Sequence, residues 1–236
     1  DAVAKYSEDT LKSYGIVPWH IQLMMYRLTD AFKLKDKNKI LKLSSEIGHY
    51  IADSNVPLHT TENYNGQLTN QVGIHGFWES RIPELFAEDY DYFIGKAEFV
   101  AKPTERIWKT VLESHAALDS VLSFEKKLSQ TFPQDRMYAF DTRGTFTSKM
   151  YSEEYTKAYS DMMGGMVERR MRSSIKMVAD IWFTCWLNAG SPDLSKTEIK
   201  ELTAQEKTEA EAEENAWKEK KKQYGHYHPE TGKEGK

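Results

Sequence analysis

Apolar residues recur along this chain at intervals of three and four, and that spacing leaves helix as the main way to bury them. The β-branched alternation that marks strands is scarce, so the expectation is an all-α fold, a helical bundle or array. A first helix is predicted from just after Pro18, with Ile21, Met24, Met25, Leu28 and Phe32 on one face. A second covers roughly Lys39 to Ser54, with Leu41, Leu43, Ile47, Tyr50 and Ile51 inward, and Pro57 stops it.

Further along, the Asn-, Thr- and Gly-rich stretch from Thr60 to Gly73 reads as a loop. A third helix is expected from near Ile74 through Phe77 and Trp78, with Pro83 as a possible kink, and Asp89 to Gly95 reads as a break. Thr104 to Thr131 has the spacing of a long amphipathic helix, with Ile107, Val111, Leu118, Val121, Leu122 and Leu128 on its apolar side, and Pro133 closes it. After a turn-prone stretch around Asp141 to Gly144, a second long helix is predicted from about Glu153 to Leu187, interrupted by Gly164 and Gly165.

Composition bounds what this pattern builds. With 236 residues, 39% of them hydrophobic, the chain has the material for one main domain, placed at residues 1–192. Residues 193–236 shift to Lys, Glu, Ala and Gln, with Trp217 as the main large apolar side chain, and read as a charged tail, helical or disordered. The net charge of -4 offers no broad basic surface for nucleic acid or anionic lipid. The KEKKK run at Lys218 to Lys222 follows an acidic stretch and reads as part of the tail. The single cysteine, Cys185, excludes a disulfide framework and a thiolate metal site. No apolar run reaches the length of a membrane-spanning helix. The chain opens at Asp1, without an initiator Met or a signal-like segment, which reads as a processed chain or a fragment.

Three of the seven histidines fall in one short window together with Asp53 and Glu79. His49 and Asp53 stand four residues apart on a predicted helix, so their side chains share a face with Cβ atoms about 5–6 Å apart. His75 and Glu79 repeat the spacing on the next helix, and His59 lies between the pairs. A lone His-x3-Asp is ordinarily a surface pair. Two such pairs beside Tyr50, Ile51, Phe77 and Trp78, with a further histidine between them, are costly to bury without a partner, and a metal ion supplies one. Imidazole and carboxylate donors without sulfur suit zinc in an open site whose coordination water completes the sphere.

These residues resemble the zinc-dependent phospholipase C and S1/P1 nuclease superfamily. The segments HYIADSNVPLH and IHGFWES, joined by TTENYNGQLTNQVG, are similar to its His-x3-Asp, its following "PLH" histidine and its second His-x3-Asp or His-x3-Glu. Gly73 before Ile74-His75, and Glu79 where the nucleases usually carry Asp, lean toward the phospholipase branch. The similarity covers about residues 41–88, with a fainter likeness in MRSSIKMVADIWFTCWLNAG to the family's long closing helix.

The resemblance implies a multi-helix phospholipase C/P1 nuclease-like bundle with up to three zinc ions. It implies that His59, His75 and Glu79 bind one zinc, that His49 and Asp53 contribute to a second, and that Asp53 bridges toward a third. It further implies hydrolysis of a phosphoester by metal-activated water, an exported (periplasmic or extracellular) location, and a general base in an amino-terminal part that does not precede His49 here. The family's upstream ligands have no counterpart, since His20 sits too close to His49 to match. The substrate expected first is a phospholipid or other phosphodiester; the alternatives are single-stranded nucleic acid, or no substrate, in a non-catalytic zinc-binding helical protein. Tyr64 and Trp78 are candidates to contact substrate, against a default of packing. His20 and His115 read as structural, Arg169, Arg170 and Arg172 as a solvated or ion-paired face, and His226 and His228 as part of the tail.

Overall fold

The computed structural model describes Lys5, Ser7, residues 15–143 and 146–195, and positions 207, 208, 211, 212 and 215. Trp217, the Lys218 to Lys222 run, His226 and His228 lie outside the described residues, as does most of the predicted tail. The described part is mostly helical, with one small two-stranded sheet. Among the described residues no helix is long and apolar enough to cross a membrane.

Helix α1 spans Val17–Leu34 with Pro18 in its first turn, where proline's missing N–H costs no hydrogen bond. Its buried stripe is Ile21, Met24, Met25, Leu28, Ala31 and Phe32. Lys35 takes a left-handed conformation at the end (φ 53°), and its N–H and that of Asp36 close on the carbonyls of Phe32 and Ala31. Asp36 then caps α2, Lys37–Ser54, its carboxylate accepting from the Lys39 N–H at 3.2 Å. The stripe that α2 buries is Ile40, Ile47 and Ile51. Leu41, expected inward, is instead exposed: it lies one residue, about 100° of helical turn, from Ile40.

The backbone divides into two compact units, the first made of Asp1–Thr60, Asp91–Ala116 and Arg170–Ile199, the second of Thr61–Tyr90, Ala117–Arg169 and Lys200–Lys236. The first unit is built on α1, α2, the amino-terminal part of α5 (Pro103–Thr131) and the carboxy-terminal part of α7 (Met166–Asn188). Its core joins Ile21, Met24, Leu28, Ile47 and Ile51 to Ile107, Met177, Ile181 and Cys185. Each such side chain taken fully out of water contributes about 1.5–3 kcal/mol.

The second unit holds the loop 61–73 and a helical stretch of three parts: α3 at Ile74–Gly76, a π turn at Phe77–Arg81 and α4 at Ile82–Phe86. Pro83 is the second residue of α4 and follows directly on the π turn, inside a stretch that is helical from Ile74 to Phe86. Strands β1 (Tyr138–Arg143) and β2 (Phe146–Tyr151) pair antiparallel, Tyr138 opposite Tyr151 and Arg143 opposite Phe146. This hairpin replaces the simple turn expected around Asp141. It is held by long-range ring contacts: Tyr138 stacks on Tyr151 at 5.2 Å, and the Lys149 ammonium sits 3.8 Å over the Tyr138 ring.

Helix α6 (Glu153–Met162) follows, capped by Ser152. The expected Glu153-to-Leu187 helix is two helices, because Gly164 and Gly165 both adopt positive φ (55° and 76°) between α6 and α7, where a side chain is disfavoured. The core here is aromatic. Phe77 stacks on Tyr151, Tyr155 and Tyr159 at 4.0–5.7 Å, and Phe132 meets Tyr155 edge-on at 5.1 Å.

Candidate metal centre

Each unit presents part of the His and carboxylate set. In the first, His49 and Asp53 occupy successive turns of α2, with His49 Nε2 3.4 Å from Asp53 Oδ2. The chain leaves α2 at Asn55, and the 3₁₀ turn Pro57–Thr60 brings His59 back so that its Nδ1 lies 3.7 Å from Asp53 Oδ1. Asp53 thus offers a different oxygen to each of two histidines. Around it, His49 is exposed and packs edge-on to Tyr50, whose ring also meets His20 at 4.4 Å. His20 is therefore a packing partner of α2. His115 hydrogen-bonds through Nδ1 with Thr60 Oγ1 at 3.2 Å, which ties α5 to the turn carrying His59.

In the second unit, His75 stands in α3 and Glu79 in the π turn, and His75 Nε2 lies 3.1 Å from Glu79 Oε2. The other ring nitrogen, Nδ1, is 3.1 Å from the backbone carbonyl of Tyr64. A carbonyl only accepts, so Nδ1 carries the hydrogen. A neutral ring then turns the Nε2 lone pair toward a carboxylate oxygen, and two acceptors at that distance need a proton or a cation between them. Two donors on one tetrahedral zinc, with bonds of about 2.0–2.1 Å, stand about 3.3 Å apart. The pair fits such an ion, both by spacing and by donor chemistry.

Of the two aromatic candidates, Tyr64 is 54% exposed and meets the His75 ring edge-on at 5.9 Å, whereas Trp78 is 3% exposed, with its indole N–H buried and without a hydrogen-bond partner among the described residues. Of the two, Tyr64 is the exposed one. The three arginines of α7 are all engaged. Arg169 reaches the Gly164 carbonyl, and Arg172 pairs with Asp91 at 2.8 Å. Arg170 donates from Nε to the Asn55 carbonyl at 2.8 Å and from Nη2 to the Thr110 carbonyl at 3.2 Å and to Ser114 Oγ. Burial holds the Arg170 guanidinium below its ordinary pKa, against the pull of Glu113. It secures the end of α2 that leads into His59.

The partner that holds the His75 ring escaped the sequence reading. The Tyr64 carbonyl has no side-chain signature at all. The loop that carries it did leave a trace, in that Asn, Gln and Thr dominate TTENYNGQLTNQ, and these side chains hydrogen-bond local backbone readily. No family model, no curated protein and no solved structure matches this chain.

Proposed function

We propose that this protein is a zinc-dependent phosphoester hydrolase of the phospholipase C kind, with His49, Asp53, His59, His75 and Glu79 as its zinc ligands. The observation that carries the reading is the His75–Glu79 pair, 3.1 Å apart with the far side of the imidazole on a backbone carbonyl. The motif resemblance in residues 41–88 supplies the reaction class, the bundle type and the exported location. Bound zinc supplies a water of lowered pKa and positive charge opposite a phosphodiester. The chain's own contribution is to orient its donors: Tyr64 fixes the His75 ring, and Asp53 faces two histidines. The exposure of Tyr64 beside His75 supports it as the candidate to contact substrate.

The test is to purify the chain, count zinc by elemental analysis, and assay phosphatidylcholine, a simple phosphodiester and single-stranded DNA. Zinc with turnover of phosphatidylcholine supports the reading. DNA as the only substrate moves the protein to the S1/P1 nuclease side, and zinc without turnover makes it a non-catalytic zinc-binding protein. His75→Ala is expected to lower zinc content by at least one ion per chain, and unchanged content removes His75 from the ligands.

A further inference from the structure

The loop 61–73 is built more firmly than its composition suggests, and its firmness converges on one residue. Every polar atom of Asn63 is used. Its N–H donates to Thr61 Oγ1 at 3.1 Å, its carbonyl accepts from the Gly66 N–H at 3.1 Å, its Oδ1 accepts from the Leu68 N–H at 2.7 Å, and its Nδ2 donates to Thr69 Oγ1 at 3.0 Å. The side chain is buried. The residue fastened this way immediately precedes Tyr64, whose carbonyl faces His75.

The rest of the loop keeps that placement from drifting. Gly66 has a φ of 76°, and a Cβ on it would lie 2.2 Å from the Gln71 carbonyl oxygen, so only glycine lets the two strands of the loop close. Gln71 donates to the Gly66 carbonyl from its backbone and, through Nε2, to the Leu122 carbonyl at 2.8 Å and Glu125 Oε2 at 2.6 Å, which pins the loop to α5. Asn65 Oδ1 accepts from the Gly73 N–H at 3.1 Å, two residues before His75.

We propose that Asn63 is a positioning residue for His75: by locking the loop it holds the Tyr64 carbonyl on Nδ1, so that His75 carries its hydrogen there and presents Nε2 as the ligating nitrogen. The inference rests on the zinc reading for its purpose but not for its geometry. Which nitrogen of a histidine ligates is set by the hydrogen bond the other one makes, and losing such a partner typically costs about 10–100-fold in metal affinity.

The experiment is two-bond ¹H–¹⁵N NMR on the ¹⁵N-labelled full chain, zinc-free and well above the ordinary imidazole pKa of about 6.5, together with zinc titration against a competing chelator. Wild type is expected to show His75 as the Nδ1–H tautomer. Asn63→Ala should give a mixture of tautomers and a zinc Kd raised about 10-fold or more. Asn63→Asp keeps the acceptor for the Leu68 N–H and should recover most of the affinity. Tyr64→Ala keeps the backbone carbonyl and should keep the tautomer. An Nε2–H tautomer in wild type overturns the proposal, as does Asn63→Ala with wild-type tautomer and Kd. Should Asn63→Ala lose its helical circular dichroism, Thr69→Val, which keeps the shape of the side chain but removes the acceptor for Asn63 Nδ2, carries the same expectation and the same refutation. Because the tautomer is read without metal, a chain that binds no zinc yet shows an Nδ1–H that Asn63→Ala scrambles sinks the zinc reading and upholds the hold of Asn63 on the ring.

Discussion

Replacing Tyr155 with Phe removes one atom from the side of a buried carboxylate, Glu125, in the second unit. Glu125 is buried, and its carboxylate is held by two donors: the Tyr155 hydroxyl at 2.8 Å on Oε1 and Gln71 Nε2 at 2.6 Å on Oε2. The Phe ring keeps the stack with Phe77 and Tyr151, so the change isolates a charge-assisted hydrogen bond, worth about 2 kcal/mol near neutral pH. That difference should shrink in alkali. Burial first, then the neighbouring Glu125 charge, raise the folded-state pKa of Tyr155 far above its ordinary value of 10.0. The contribution is therefore complete below about pH 10 and lost as the pH rises, because the unfolded phenol ionises while the folded one does not. At about pH 10.5 unfolded-state ionisation is worth roughly 0.8 kcal/mol, which leaves a difference of about 1.2 kcal/mol. Guanidinium melts followed by near-UV circular dichroism, run on both proteins at about pH 8 and about pH 10.5, measure both differences. A difference below about 0.5 kcal/mol at pH 8, or one that holds or grows at the higher pH, refutes the reasoning.

Arg170→Lys should destabilise the protein by roughly 2 kcal/mol, since one ammonium cannot reach the Asn55 and Thr110 carbonyls and Ser114 Oγ as the guanidinium fork does; a melt within about 0.5 kcal/mol of wild type would show that the network is incidental. Cys185 is buried with its Sγ 3.6 Å from the Met25 carbonyl, and burial pushes its thiol up to about 11. It should resist an aromatic disulfide reagent in the native protein at about pH 8 and react fully in denaturant, and rapid native labelling would contradict its placement. Its folded pKa is raised, so whatever stability it contributes is present below about pH 9 and lost toward about pH 11. The loss is shared by wild type and Tyr155→Phe and drops out of their comparison.

How much was legible depended on whether the controlling contact was local. Helix α1 could be read because Ile21, Met24, Met25, Leu28 and Phe32 repeat within one element, and α2 because Pro57 stops it nearby. Leu41 was misplaced because Leu41 and Leu43 look as apolar as Ile40, and only the packed neighbours decide which 100° of the helix turns inward. The hairpin was missed for the same reason, since Tyr138 needs Tyr151 and Lys149 beside it to favour a strand. Within the candidate centre the His49–Asp53 and His75–Glu79 pairs were readable, being helical neighbours four apart. The approach of His59 to Asp53 follows from a 3₁₀ turn that PLHT does not announce. The hold of Tyr64 on His75 is a main-chain contact across eleven positions and leaves no mark in residue type.

The π turn at Phe77–Arg81 inserts one residue between two buried seats of a continuous helical stretch. A π turn contains one residue more than the α turn it stands in for. Excising Ser80 would let the ladder revert to α pairing while Phe77 and Ile82 keep their buried seats, so the shortened chain should fold at least as well. The four-residue spacing of His75 and Glu79 survives the excision, so the shortened chain should keep that pair as well. At this point the helix carries a single residue of slack, and neither the buried seats nor the acid opposite the imidazole depends on it.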